Sequence, residues 1–307
     1  MLDEYSLFLY HVTVLTKKSS LGLEGIVRTV LFLCAITAVL ILFLIIFFLF
    51  KEGLPLFTKV GIIEFITGTE WKPYKNVFGA LPFIAGTLII TVGALAIAVP
   101  LGVSCALFLA EMAPNWAKKI TRPAIELLAG IPSIVYGLFA LEIIVDFIRI
   151  SLFIPTGETL LAGSLILAIM ILPIIISISQ DSIESVPRGF REGSYAMGAT
   201  EWQTIKNIIL PTAKPGIFAG IILGMGRSIG ETMAVVLVIG NSRELTTSFL
   251  KPGIALTSGI LLEMGETVVG SLHYNAIFCL GITLFIIVFI LSILSNYIIT
   301  KSRIYMV

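Results

Sequence analysis

Charge is scarce in this chain. Only 13% of its 307 residues are Asp, Glu, Lys or Arg, roughly half of what a soluble globular protein carries. The formal net charge is +1, so no global field draws in nucleic acid, and no nucleic-acid partner is expected. Histidine is rarer still. His11 and His273 lie far apart in polar segments, without ligand spacing, and no metal site is expected. Cys34, Cys105 and Cys279 each sit alone inside an apolar run, which excludes a disulfide framework and a zinc cluster. The chain has no Gly-x-x-x-x-Gly-Lys-Ser/Thr and no Gly-x-Gly-x-x-Gly after a strand, so it carries no nucleotide site of its own. Ser/His, paired-Asp and His-Glu-x-x-His constellations are missing from the apolar runs. No catalytic residue and no cofactor are therefore expected, and an intramembrane enzyme is disfavoured.

What the chain has instead is apolar residues in long runs. They make up 57% of it, and the mean hydropathy is +1.05. A run of about 20 apolar residues crosses the hydrocarbon core as a helix. Six such segments occur, at about 27–50, 80–110, 124–148, 159–180, 215–240 and 276–300. The expected fold is all-α, a polytopic membrane protein of six transmembrane helices with lipid as its main solvent. The first run begins late and is too long for the apolar core of a signal peptide, which speaks against a cleaved leader. Pro132 and Pro173 are expected to kink their helices.

Basic residues give the orientation. Lys17, Lys18 and Arg28 precede the first segment, Lys118, Lys119 and Arg122 lie in the 2–3 loop, and Lys301 and Arg303 in the tail. Arg188, Arg191, Lys206 and Lys214 lie in the 4–5 loop. These twelve outnumber the seven on the other side, Lys51, Lys59, Lys72, Lys75, Arg149, Arg243 and Lys251. The positive-inside rule therefore puts both termini in the cytoplasm, in agreement with an even number of spans. The 1–2 loop, about 51–79, is then external, with Trp71 and Tyr74 as interfacial anchors. The 5–6 loop is external too, and its mildly apolar stretch 253–268, with Glu263 and Glu266, reads as a re-entrant or interfacial helix. Glu142, Asp146 and Arg149 read as an interfacial salt-bridge cluster.

The 4–5 loop, about 181–214, is patterned as a helix–turn–helix. A helix over Phe190–Met197 can stop at Gly198 in a left-handed conformation. Thr200 can cap a second helix, with Gln203 completing a capping box. Trp202, Ile205 and Ile209 fall on one face, and Pro211 and Pro215 are expected to end the unit. Such a unit is either a connector packed on its own membrane domain or a rigid knob for a partner protein. It resembles the cytoplasmic signature of ABC importer permeases: Glu-Ala-Ala, three residues, Gly, nine residues, Ile, one residue, Leu-Pro. Here the spacing is filled by Glu192, Gly193 and Ser194, then Gly198, then Ile208, Leu210 and Pro211. Gly193 and Ser194 replace the two alanines by other small residues. The resemblance implies a coupling helix that enters a groove of an ATPase subunit.

Arg227 and Glu231 are the ionisable residues deep in the fifth segment. A charge at such depth costs at least about 2.5–3.5 kcal/mol, so the two are expected to face protein or water. Four residues apart on a helix, they can pair. One reading is a structural ion pair. The other is that Arg227 meets an anion in the pathway and Glu231 holds the arginine in the anion's absence. Gly216, Gly220, Gly224, Gly226 and Gly230 read as helix-packing glycines.

Gly226-Arg227-Ser228-Ile229-Gly230-Glu231-Thr232-Met233-Ala234 is similar to the phosphate branch of the ABC importer permeases, and so is Ala129-Gly130-Ile131-Pro132-Ser133-Ile134-Val135-Tyr136-Gly137. Phe78 to Thr87 and the segment ending Trp71-Lys72-Pro73 resemble the PstC type more than the PstA type. Over about 26–307 the resemblance implies a MetI-like core. The chain divides on this reading into a cytoplasmic tail 1–26, a first helix and external loop 27–79, and a permease core 80–307. It further implies a subunit of an ATP-driven phosphate importer in the inner (plasma) membrane. The implied partners are a second permease (PstA type), two ATPase subunits (PstB type) and an external phosphate-binding protein (PstS type). Permeases for molybdate or sulfate form one alternative. An ion-coupled secondary transporter is another, but it should show paired broken spans from inverted repeats, which are not found.

The charge bias makes a direct test. In a variant freed of its three native cysteines, single cysteines at Thr16 and Ser302 should resist a membrane-impermeant maleimide applied to intact cells. A cysteine at Lys75 should react. Labelling of Thr16 or Ser302 from outside would overturn the orientation.

Overall fold

The computed structural model describes residues 2–304; side chains are described for 25–295 and 297. Met1 and residues 305–307 lie outside, as do the side chains of Thr16, Lys17, Lys18, Lys301, Ser302 and Arg303, so that part of the charge pattern has no structural counterpart. The chain divides into two compact units, residues 1–52 and 53–307.

The first unit is helix, the greater part of α1 (Leu2–Phe57). No break marks the expected boundary at residue 26, and the helix outruns the expected end at 50. From Ile26 to Phe48 its large apolar side chains are exposed, except for the half-buried Ile46, the condition of a helix whose solvent is lipid.

In the second unit, α2 (Ile62–Thr67) precedes a small antiparallel hairpin, β1 (Trp71–Lys72) and β2 (Val77–Phe78), turned through Pro73–Lys75 and a left-handed Asn76. Trp71 pairs with Phe78 across the hairpin. Its ring meets the edges of Phe78 and Phe83 at 5.3 and 4.8 Å between centroids. Trp71 is therefore buried and is not an interfacial anchor, whereas Tyr74 at the turn is exposed. The aromatic surface that Trp71 buries outweighs what it would gain in headgroups. Beside it, the Lys72 ammonium hydrogen-bonds Glu70 at 2.7 Å, which holds the Glu70 carboxyl below its usual range and raises the lysine.

Four long apolar helices follow in this unit: Leu81–Met112, Leu160–Glu184, Glu201–Gly230 and Leu272–Ser295. The third expected span is broken. α4 (Asn115–Gly130) and α5 (Ser133–Phe139), the latter continued through a π turn at Ala140–Val145 into α6 (Asp146–Leu152), meet at a 95° bend. Counting that pair as one span and adding α1 gives six. The cause is local. Ile131 precedes Pro132, and the proline ring drives it to extended backbone (φ −67°, ψ 131°). Pro173, by contrast, is absorbed in an unbroken α7 (Leu160–Glu184). Of the expected outer cluster, Arg149 pairs with Asp146 at 2.9 Å and Glu142 stands apart.

α7 is the axis of the fold, with 61% of its apolar core buried, against 33% or less in the other long helices. α3 (Leu81–Leu107) packs along it, as does α10 (Leu210–Gly230). Ile90, Ala94 and Ala98 of α3 meet Leu160, Ile166 and Ile171 of α7 in one core, to which α5 and α11 (Met233–Val238) add Tyr136, Ala234 and Val238. A second core joins Phe65, Trp71, Phe78 and Phe83 to Leu256 of α12 (Leu256–Met264) and Ala276 and Leu280 of α13 (Leu272–Ile304). α12 occupies the stretch expected to be re-entrant.

The approach of α3 to the segment entering α12 depends on one glycine. A Cβ on Gly86 would collide with the Ile254 carbonyl oxygen, and the neighbouring Thr87 Oγ1 accepts the Leu256 N–H at 2.9 Å. Gly86→Ala should therefore force the two backbones apart at a cost of about 1–3 kcal/mol. Thermal unfolding in detergent should show a lower midpoint, and an unchanged midpoint would refute the close approach.

Candidate functional site

Two places collect the residues singled out in the sequence. The first is the loop between α7 and α10. α8 (Arg188–Ala196) ends in Gly198 at φ +79°, and α9 (Glu201–Thr204) begins at Thr200 with the expected capping box. Gln203 N–H donates to Thr200 Oγ1 at 3.3 Å, and Thr200 N–H donates to Gln203 Oε1 at 2.8 Å. A Cβ at Gly198 would meet nothing within 4 Å. The glycine is required by its backbone angle, not by crowding.

Beyond α9 the expectation needs correction. Pro211 and Pro215 do not end the unit; the helix passes through a π turn at Ile205–Ile209 and continues as α10. The wider turn loosens the i to i−4 register just where Pro211 lacks an N–H, so the chain need not break. The inserted π turn also shifts the faces. Ile205 and Ile209 are buried, but Trp202 is 58% exposed.

The signature residues are divided between surface and interior. Glu192, Gly193, Gly198 and Pro211 are exposed, and Ile208 and Leu210 half-buried. Ser194 is buried: its hydroxyl lies 2.8 Å from Thr204 Oγ1, and Thr204 bonds the Thr200 carbonyl at 3.0 Å. Ser194 thus binds the two short helices together and is not presented outward. Around them Phe190, Tyr195, Trp202 and Met197, the last 88% exposed, form apolar surface on a polar loop, a composition that marks contact sites.

The second place is the end of α10. Arg227 lies in its last turn, where a cation suits the helix dipole. The helix stops at Gly230, and Glu231 is extended (φ −71°, ψ 132°). The ion pair that the spacing allowed is not formed among the described residues. Glu231 Oε1 instead accepts the N–H groups of Thr232 and Ala234, at 3.2 and 3.3 Å, and caps α11. An anionic oxygen on those free N–H groups is worth about 0.3–1 kcal/mol. The fifth segment is thus two helices, α10 and α11, so helical spacing does not bring residues 227 and 231 to one face.

Arg227 itself is exposed and has no hydrogen-bond or ion-pair partner among the described residues. Leu223, Gly226, Arg227 and Gly230 are all exposed, at intervals of one helix face. The glycines separate accordingly. Gly216, Gly220 and Gly224 lie against Ser182, Ile178 and Ile175 of α7, whereas Gly226 and Gly230 have open space where a side chain would stand. Packing explains the first three only.

Sequence reasoning missed a third feature. Glu263 of α12 is 1% exposed and lies between Arg243, with Nη2 2.6 Å from Oε1, and His273, with Nε2 2.7 Å from Oε2. The arginine contact is ionic and not aligned as a hydrogen bond. His273 stacks on Phe78 at 5.9 Å. The partners lie 20 and 10 residues from Glu263, beyond any local pattern; the only sequence hint is a glutamate within a mildly apolar stretch.

Comparison with known proteins gives the context. Residues 98–304 match the family model described as binding-protein-dependent transport system inner membrane component. The chain is 42% identical over 281 residues to a probable ABC transporter permease, YqgH, of Bacillus subtilis, covering 90% of this chain and 91% of that protein. It is 39% identical to the phosphate transport system permease protein PstC of Haemophilus influenzae, covering 78% and 82%. Among solved structures, a bacterial alginate ABC importer superposes with a TM-score of 0.61 at 17% identity, covering 91% of this chain and 98% of that one. The inward-facing MetNI methionine transporter gives 0.54 at 19%, covering 73% and 94%. At such identities the structures establish the shared fold.

The glycine makes a sharp test of the loop. Gly198→Trp should insert normally but lose ATP hydrolysis coupled to transport, because a left-handed backbone costs a bulky residue about 1–2 kcal/mol. Gly198→Asn, which tolerates that backbone, should keep most of it. Equal coupling in both variants, measured in proteoliposomes, would remove the turn's role.

Proposed function

The chain belongs to the binding-protein-dependent transport system inner membrane components, and on that premise we propose that it is the transmembrane permease subunit of an ATP-driven phosphate importer. Relatives named phosphate transport permeases support the substrate, at 38–39% identity over 78% of this chain. The observation that carries the reading is the open face of α10. An exposed guanidinium without partners among the described residues, flanked by Gly226 and Gly230, lies in a chain that pairs several of its buried or half-buried charges. A planar fork of donors suits a tetrahedral oxyanion. Glu231 acts through the backbone: it fixes the break after Gly230 and so sets where the α10 face ends.

In this proposal the 181–214 loop docks an ATPase subunit through Glu192, Gly193, Gly198, Ile208, Leu210 and Pro211, with Ser194 as internal support. ATP hydrolysis is supplied by two subunits of the PstB type. A second permease of the PstA type faces Arg227 across the pathway, and an external PstS-type protein delivers the anion. Both termini are cytoplasmic in the inner membrane, as the charge bias supports.

Uptake of inorganic phosphate by the reconstituted importer is the test. Arg227→Gln should lower it about 10- to 100-fold, the factor for a charge-assisted hydrogen bond worth about 1.5–3 kcal/mol. Arg227→Lys should be intermediate. Because Glu231 does not pair with Arg227, the double variant Arg227→Gln/Glu231→Gln should not recover. Recovery would turn the two residues into a structural pair. Suppression of phosphate uptake by excess molybdate or sulfate would instead favour a broader or different oxyanion.

A further inference from the structure

We propose that Arg191 and Glu111 form a strut that carries movement of the coupling loop into α3 and α7, acting as positioning residues of transport and not as substrate contacts. Arg191 is the residue before Glu192, on α8. Its Nη2 lies 2.7 Å from Glu111 Oε1 and also donates to the Ile183 carbonyl at 3.1 Å. Its Nη1 donates to the Val186 carbonyl. Three elements therefore meet on one side chain. Glu111 belongs to the π turn Phe108–Met112 that finishes α3, Ile183 to the last turn of α7, and Arg191 to α8.

The pair is largely withdrawn from water, with side chains 19% and 13% exposed. Such a pair is a weak stabiliser, since desolvation offsets much of the attraction. What it supplies is geometry. A planar guanidinium with several of its donors engaged holds three bodies in a fixed geometry, which a lysine ammonium on its flexible stem does not impose. The point of attachment is also apt. A π turn is a local departure from helical register that recurs at functional sites, and here it joins Glu111 to the end of α3, so a displaced Glu111 pulls on that end directly. α3 and α7 then share the most extensive contact between elements of the described fold, and close-packed interiors transmit strain. Lys118 makes a second, weaker tie in the same cavity of about 430 Å³, donating to the Ala110 carbonyl at 2.9 Å and lying 4.0 Å from Glu184.

The inference rests on the docking reading of the loop, and the experiment separates the two. The assembled importer is placed in proteoliposomes with its ATPase subunits, second permease and binding protein, and phosphate uptake, ATP hydrolysis and retained ATPase subunit are measured together. Arg191→Lys and Glu111→Gln should each retain the ATPase subunit yet raise the ATP consumed per phosphate delivered by about threefold or more, as for partners in one network. The neutral double variant Arg191→Met/Glu111→Met leaves no stranded charge and should fold normally, but it should stay uncoupled. Coupling restored in the double variant would overturn the strut and leave a purely structural pair. Loss of the ATPase subunit from Arg191→Lys would also overturn it, by making Arg191 a docking contact. Failure of the docking reading shows separately, as intact coupling in Gly198→Trp.

Discussion

Hydrocarbon offers no hydrogen bonds, so each backbone N–H and C=O at membrane depth must find a partner inside the protein. An unbroken helix meets this demand automatically. The broken third span and the stop after α10 do not, and much of the unusual chemistry of the chain lies at these two breaks. At the first, Tyr136 Oη donates to the Leu128 carbonyl at 2.8 Å, and the Pro132 carbonyl accepts from Val135 N–H. At the second, Glu231 caps α11, and Thr257 Oγ1 donates to the Glu231 carbonyl at 2.7 Å. Near neighbours thus complete most of the helix ends that the breaks expose, and Thr257 adds a contact from a distant segment. The breaks also shape the permease, because they turn α4 away from α5 and end α10 beside Arg227.

The same economy governs charge. α12 is fastened at its start by Thr257 to the end of α10 and near its end by Glu263 to Arg243 and His273. The segment over 241–275 is therefore linked mechanically to the helix that bears Arg227. Arg191 does comparable work at the opposite ends of α3 and α7, joining three elements through one guanidinium. Arg227 differs from these engaged groups in having its donors unspent.

How much of this was legible beforehand depended on the range of the interaction. Thr200, Gln203 and Gly198 interact within a few residues of one another, and their cap and left-handed turn appear as expected. Pro132 acts on Ile131, its neighbour, and the bend follows. Arg227 and Glu231 were also neighbours in spacing, yet their pairing assumed a continuous helix. That assumption fails where Glu231 finds a better use on the free N–H groups of α11. Trp71 and Glu263 were misjudged or passed over because their partners are remote: Phe83 and His273 for the first, Arg243 and His273 for the second.

The sequence alone determined where the long apolar segments lie and, within the 181–214 loop, the left-handed turn at Gly198 and the cap at Thr200. Those properties follow from transfer free energy summed over about 20 residues and from hydrogen bonds between near neighbours. Only the tertiary structure decided which charges are engaged and which are open. Fixing Arg191 to Glu111, 80 residues away, or burying Glu263, requires helices to have packed first. Packing likewise sorts the glycines of α10: Gly220 and Gly224 lie against α7, while Gly226 and Gly230 face open space. A residue's chemistry is written in its side chain, but its availability is set by what other helices cover.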